Sequence, residues 1–206
     1  LFSVSDKCMV SIAKEGQNYA KAAGLDFRRA QFTPDVMATD ISGFTAPDPK
    51  TGEFVYKPGV CMTNILIADE INRTTPRTQS ALLEAMEEGQ VTVDGISHKL
   101  PEPFTVIATQ NPAGAAGTQL LPDSQMDRFM VRLSLGYPSI KDEIAMVNSR
   151  QGTDPLQTVR SVMSTRDLSA MQQSVADTYM APEVVRYAVE LLAATRTQEA
   201  LERGAS

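Results

Sequence analysis

Two adjacent carboxylates carry the first sign of chemistry in this chain. Asp69 and Glu70 follow directly on an apolar run, Ile65-Leu66-Ile67-Ala68, which reads as a buried strand at the centre of a parallel sheet. A strand that ends in this way sets both acids at the carboxyl edge, where open α/β sheets bind their ligands. Asp69 there has the chemistry to hold hydrated Mg2+ against phosphate oxygens, because this ion prefers a carboxylate completed by waters and phosphate. Glu70 has the chemistry to polarise an attacking water. The same two acids could instead simply open the next turn, since carboxylates are common near helix starts.

Two more residues join them as candidates. Asn111 closes the stretch FTVIATQN, and a neutral amide at that strand end can orient a water beside a phosphate without adding charge repulsion. Asn111-Pro112 is equally a plain start for a turn. Arg128 lies in QMDRFM, at the end of a short helix and before a strand, where a guanidinium could project outward. Its alternative is a surface ion pair with Asp127 or another nearby acid. His98 reads as a surface residue of a hairpin and not as a ligand. Cys8 and Cys61 fit neither a metal spacing nor a disulfide framework, which suits a reducing compartment.

The elements that must position these groups form an alternating pattern. Residues 4–15 read as a short helix, and GQNYAKAAG as a second helical fragment that stops at Gly24. DFRRAQF then reads as a strand. Residues 33–59, dense in Pro, Gly, Asp and Thr, read as an elaborated connection holding one extended piece, EFVYK. Thr74 or Thr75 caps a helix with Pro76 in its first turn, Ala81, Leu82, Ala85 and Met86 on its apolar face, and Gly89 at its end. QVTVDGISHKL is a hairpin turned by Asp94-Gly95, with Val91 and Val93 facing Ile96. FTVIA (104–108) and FMVRLSL are further strands, separated by a helix around Asp123 to Arg128. From Ser139 onward only helices are expected. The expected fold is α/β: a parallel sheet flanked by helices over residues 1–138, then a partial all-α domain over 139–206.

Composition narrows the function classes. The 206 residues carry a formal charge of −6 and a pI near 4.9, which argues against coating nucleic acid or anionic membrane by bulk electrostatics. No apolar stretch reaches the roughly 20 residues of a membrane span, and the start lacks a signal-peptide pattern, so a cytoplasmic location is expected.

Taken together, NILIADEINR, TQSALLEAMEEGQVTVDG, FTVIATQNP and QMDRF resemble the MoxR family of AAA+ ATPases, and GLDFRRAQFTPDVMATDISG with TGEFVYKPG resembles the family's stretch upstream of Walker B. The resemblance covers Gly24 to Tyr137 and, more weakly, the helical tail. It implies a P-loop-type AAA+ core followed by a lid, with ATP and Mg2+ as ligands. It also implies roles: Asp69 as the Walker B magnesium ligand, Glu70 as the catalytic glutamate, Asn111 as the sensor 1 residue and Arg128 as an arginine finger reaching a neighbour's nucleotide. EFVYK would belong to the helix 2 insert, and QVTVDGISHKL to the hairpin before sensor 1. Members act as hexameric, chaperone-like ATPases that remodel or mature other proteins, often beside a von Willebrand factor A domain partner.

One departure from that pattern bears on everything else. No GxxxxGK[ST] occurs, although its backbone amides and lysine hold the phosphates in this class. Gly16, Gly24, Lys14 and Lys21 do not form such a loop. The family has a strand, that loop and a helix start where Gln17 here joins Asn18. Deleting a central strand would cost many kcal/mol against a stability of about 5–15 kcal/mol. The expectation is therefore a working polypeptide that retains the loop, with a non-hydrolysing AAA+-like scaffold as the alternative. No sensor 2 residue can be assigned, and Arg196 is not a safe substitute.

Overall fold

The computed structural model describes residues 2–3, 6–110, 120–134, 138–149, 159–198 and 201. Strand β1 is Phe2–Ser3, helix α1 Asp6–Ala22 and strand β2 Phe27–Gln31. Helix α2 (Ala38–Ser42) leads into the antiparallel pair β3 (Gly43–Pro47) and β4 (Phe54–Pro58). Strand β5 is Ile65–Asp69, helix α3 Pro76–Glu88, and β6 (Gln90–Val93) pairs with β7 (Ile96–Lys99). Strand β8 (Thr105–Gln110), helix α4 (Asp123–Met126) and strand β9 (Leu133–Ser134) follow. Helices α5 (Ile140–Ser149), α6 (Thr165–Ala176) and α7 (Pro182–Thr197) complete the order.

The main sheet runs β2-β5-β8-β1-β9, with every pairing among them parallel. All five residues of β5 are buried, and the reason lies on both of its faces. Leu66 and Ala68 join a core with Phe32, Ile41, Leu82, Val91 and Leu121. Ile65 packs with Ala20, Ala23 and Leu25 on the other side. A strand covered on both faces needs a continuous apolar run, so alternation is absent from its sequence.

Two sequence expectations change here. The N-terminal helical fragments are one helix, because Gly16 continues α1 and lets it lie close to the sheet: a Cβ at that position would sit 2.7 Å from Ile67 Cδ1. Gln17 and Asn18 therefore lie inside one continuous helix. The position between β8 and β9 is filled by β1, with Phe2 opposite Thr109 and Leu133, and Ser3 opposite Gln110 and Ser134.

Local chemistry explains the other boundaries. The Thr75 hydroxyl accepts from Thr78 N at 3.3 Å, Pro76 stands in the first turn of α3, and Gly89 closes the helix at φ 62°. Thr78, Gln79 and Leu83 share the buried face of α3 with Leu82 and Ala85, while Ala81 and Met86 are only partly buried. The connection over residues 33–59 contains a hairpin, β3 with β4, and not a lone extended piece. Asp94 and Gly95, at φ 51° and 77°, turn the second hairpin, where Val93 faces Ile96 and Val91 faces His98. His98 stacks on Tyr56 of β4, with ring centroids 3.7 Å apart, and thereby joins the two hairpins.

The chain forms two compact units, Leu1–Leu168 and Ser169–Ser206. The first contains the sheet, both hairpins and α5, and the second the remainder of α6 together with α7. Within α7, Arg186 and Glu190 pair at 2.8 Å, one helical turn apart.

Candidate functional site

The parallel register brings the ends of β2, β5 and β8 to one edge. Gln31 stands opposite Asp69, and Ala68 opposite Ala108, so Thr109 follows level with the acids. Asp69 is completely buried and Glu70 is 5% exposed. Two acids so deeply placed require compensating partners. Arg29 Nε lies 2.5 Å from Asp69 Oδ2, and the Thr109 hydroxyl donates to Asp69 Oδ1 at 3.4 Å. Gln31 Nε2 and Arg73 NH1 both donate to Glu70 Oε2, at 2.7 and 2.8 Å.

The backbone turns sharply between the two acids. Glu70 adopts a left-handed conformation, φ 54° and ψ 45°, which costs energy for a residue with a Cβ. Its N–H donates to Thr109 Oγ1 at 2.9 Å, so one hydroxyl ties the turn after β5 to the end of β8. A 3-10 turn, Ile71–Arg73, follows immediately and sets Arg73 back over Glu70. Gln79 Nε2 donates to Ile71 O and Thr74 O, both at 3.2 Å, and fixes this turn against α3. Gln110, next along β8, is buried, and its Nε2 has no hydrogen-bond partner among the described residues.

The sequence-derived residues meet different ends. Asp69 and Glu70 stand together at the edge as expected from their position after the apolar run. Asn111 lies outside the described residues. Arg128 follows α4 and pairs with Glu87 of α3 at 2.9 Å, with both side chains about half exposed. Arg29, Gln31, Arg73 and Thr109 are the residues that sequence reasoning missed. Arg29 and Gln31 are two apart on a strand and so share one face, a signal that becomes meaningful only once β2 is known to neighbour β5.

The donor set fits a divalent cation: one buried carboxylate with a hydroxyl beside it leaves the remaining positions to waters and phosphate oxygens. The described residues supply no phosphate cradle of the GxxxxGK[ST] kind, since that motif does not occur in the sequence.

An open parallel sheet flanked by helices, with paired acids at its carboxyl edge, has the architecture of an AAA+ α/β core. Residues 5–131 match the family described as "ATPase family associated with various cellular activities (AAA)". Chaperone MoxR1 of Mycobacterium tuberculosis is 40% identical over 185 residues, spanning 90% of this chain and 48% of that protein. YeaC of Bacillus subtilis, an uncharacterized protein, is 45% identical over 187 residues, 91% of this chain and 58% of that protein. A crystal structure of a protein from Cytophaga hutchinsonii assigned as an ATPase superposes with a TM-score of 0.83 at 34% identity, covering 95% of this chain and 58% of that one. The chain belongs to the MoxR family of AAA+ ATPases. It spans about half the length of the curated relatives it matches.

Proposed function

We propose that this chain is the ATP-hydrolysing core of a MoxR-type AAA+ ATPase, which couples ATP turnover to the remodelling or maturation of partner proteins. The observation that carries this reading is the buried Asp69-Glu70 pair at the carboxyl edge of β5, between β2 and β8. Asp69 would hold Mg2+, which shields the phosphate charge when bound. Glu70 would accept the proton of the attacking water at its carboxylate, and Thr109 would keep the Glu70 backbone in place through its 2.9 Å bond. Asn111 would orient that water, and Arg128 of an adjacent copy would stabilise the developing charge. The ring would be a hexamer in the cytoplasm, working with a von Willebrand factor A domain partner. Residues 139–206 would belong to the helical lid domain.

The absence of a GxxxxGK[ST] motif from the sequence favours a second reading, a non-hydrolysing scaffold that keeps the AAA+ fold and its partner surfaces. Equilibrium titration of the chain with ATP and Mg2+ separates the two. Saturable binding supports the ATPase, and no binding at millimolar ATP supports the scaffold.

A further inference from the structure

We infer that Arg29 is a resident counter-ion that competes with the divalent cation for Asp69, so that the cation site opens only when the guanidinium swings away. This rests on the reading of Asp69 as a cation ligand and adds the residue that controls access to it.

Three observations carry the inference. Asp69 is completely buried, and a carboxylate withdrawn from water needs a compensating positive charge; Arg29 supplies it at 2.5 Å from Oδ2. Arg29 reaches the acid from the neighbouring strand and belongs to the same face of β2 as Gln31, which holds Glu70 at 2.7 Å. One strand face therefore engages both acids. The Arg29 side chain is 45% exposed while that of Asp69 is 0% exposed, so the arginine is the partner that borders water. A guanidinium and a divalent cation at contact distance from one carboxylate repel each other, and the mobile partner is the one that leaves. The Arg29–Asp69 contact thus keeps the edge neutral before the cation arrives and sets a threshold for its entry.

The test is Mn2+ titration of the full chain followed by electron paramagnetic resonance, with thermal melts to verify folding. Arg29→Gln retains a hydrogen-bond donor for Asp69 without the charge, and Arg29→Met serves as a second neutral variant should the first not fold. The neutral variant should bind Mn2+ about tenfold or more tightly than the wild type, because a competing charge is gone. Arg29→Lys, which keeps the charge, should stay within about threefold of the wild type. Asp69→Asn should abolish the site. Neutral variants that bind no tighter than the wild type, with Asp69→Asn still abolishing binding, overturn the role of Arg29 and leave the Asp69 reading intact. Equal Mn2+ binding by the wild type and Asp69→Asn overturns both.

Discussion

Asp69 and Glu70 were legible as a pair because the apolar run before them marks a buried strand, and a strand end is a place in the fold. Their partners were not legible. Arg29 and Gln31 precede Asp69 and Glu70 by 40 and 39 positions, and the parallel register that joins them is a property of two strands read together. Arg128 took its alternative within the chain, since Glu87 offers an acid at 2.9 Å, yet a half-exposed pair of this kind is worth only about 0–1 kcal/mol and releases its arginine easily. Cys61 gives a prediction of its own. Burial pushes its thiol up to about 12, from 9.0, so a thiol reagent at pH 8 should modify it roughly a thousandfold more slowly in the native protein than after denaturation. Stopped-flow labelling of a Cys8→Ser variant measures this, and equal rates would contradict the burial. The same shift has a definite sign for stability: the native thiol keeps its proton where the unfolded one loses it. This contribution is fully present below about pH 9 and is lost as pH rises toward 12.

At the scale of elements, caps and turns were readable because their chemistry is local. Thr75, Pro76 and Gly89 bound α3, and Asp94-Gly95 turns its hairpin. Strand β3 escaped because Gly43 and Pro47 stand at its ends and its pairing with β4 crosses a loop. Gly43 itself sits at φ 94°, where a Cβ would lie 2.4 Å from Lys57 O, so this strand start needs a glycine. The unbroken α1 escaped because a glycine that lets a helix approach a sheet looks, in sequence, like one that ends it. Asn64 shows how the elements are locked together. Its Oδ1 accepts from Asp26 N at 3.1 Å and its Nδ2 donates to Pro103 O at 3.0 Å, so one amide ties the chain ahead of β5 to the segments that lead into β2 and β8. Asn64→Ala removes a buried donor and acceptor together and should lower stability by about 1–3 kcal/mol. Urea denaturation reads that loss, and an unchanged midpoint would show that the clamp contributes nothing.

Over the whole molecule, the family and fold class were legible from combined motifs, and β2, β5, β8 and β9 fall on the stretches read as strands, whereas β1 was not expected. Assembly was not legible, because a ring depends on surfaces whose partners lie on other copies. Ile140, Ile144 and Val147 stand exposed on α5 at helical spacing, a pattern that marks interaction surfaces. No helix among the described residues is long and apolar enough to cross a membrane. If Arg128 serves a neighbour's site, Arg128→Ala and Glu70→Gln chains, each inactive alone, complement when mixed. Random mixing places both intact halves together at about a quarter of the interfaces, so about a quarter of wild-type turnover should return. No recovery, in mixtures shown to co-assemble, would confine Arg128 to its pair with Glu87. The central claim, that the edge of β5 hydrolyses ATP through Glu70, is tested most directly by phosphate release from ATP with Mg2+ by the wild type and by Glu70→Gln. The account predicts turnover by the wild type and, in the variant, retained ATP binding with a rate lowered by about two orders of magnitude or more. Equal turnover by the two proteins, or none by the wild type, would contradict it.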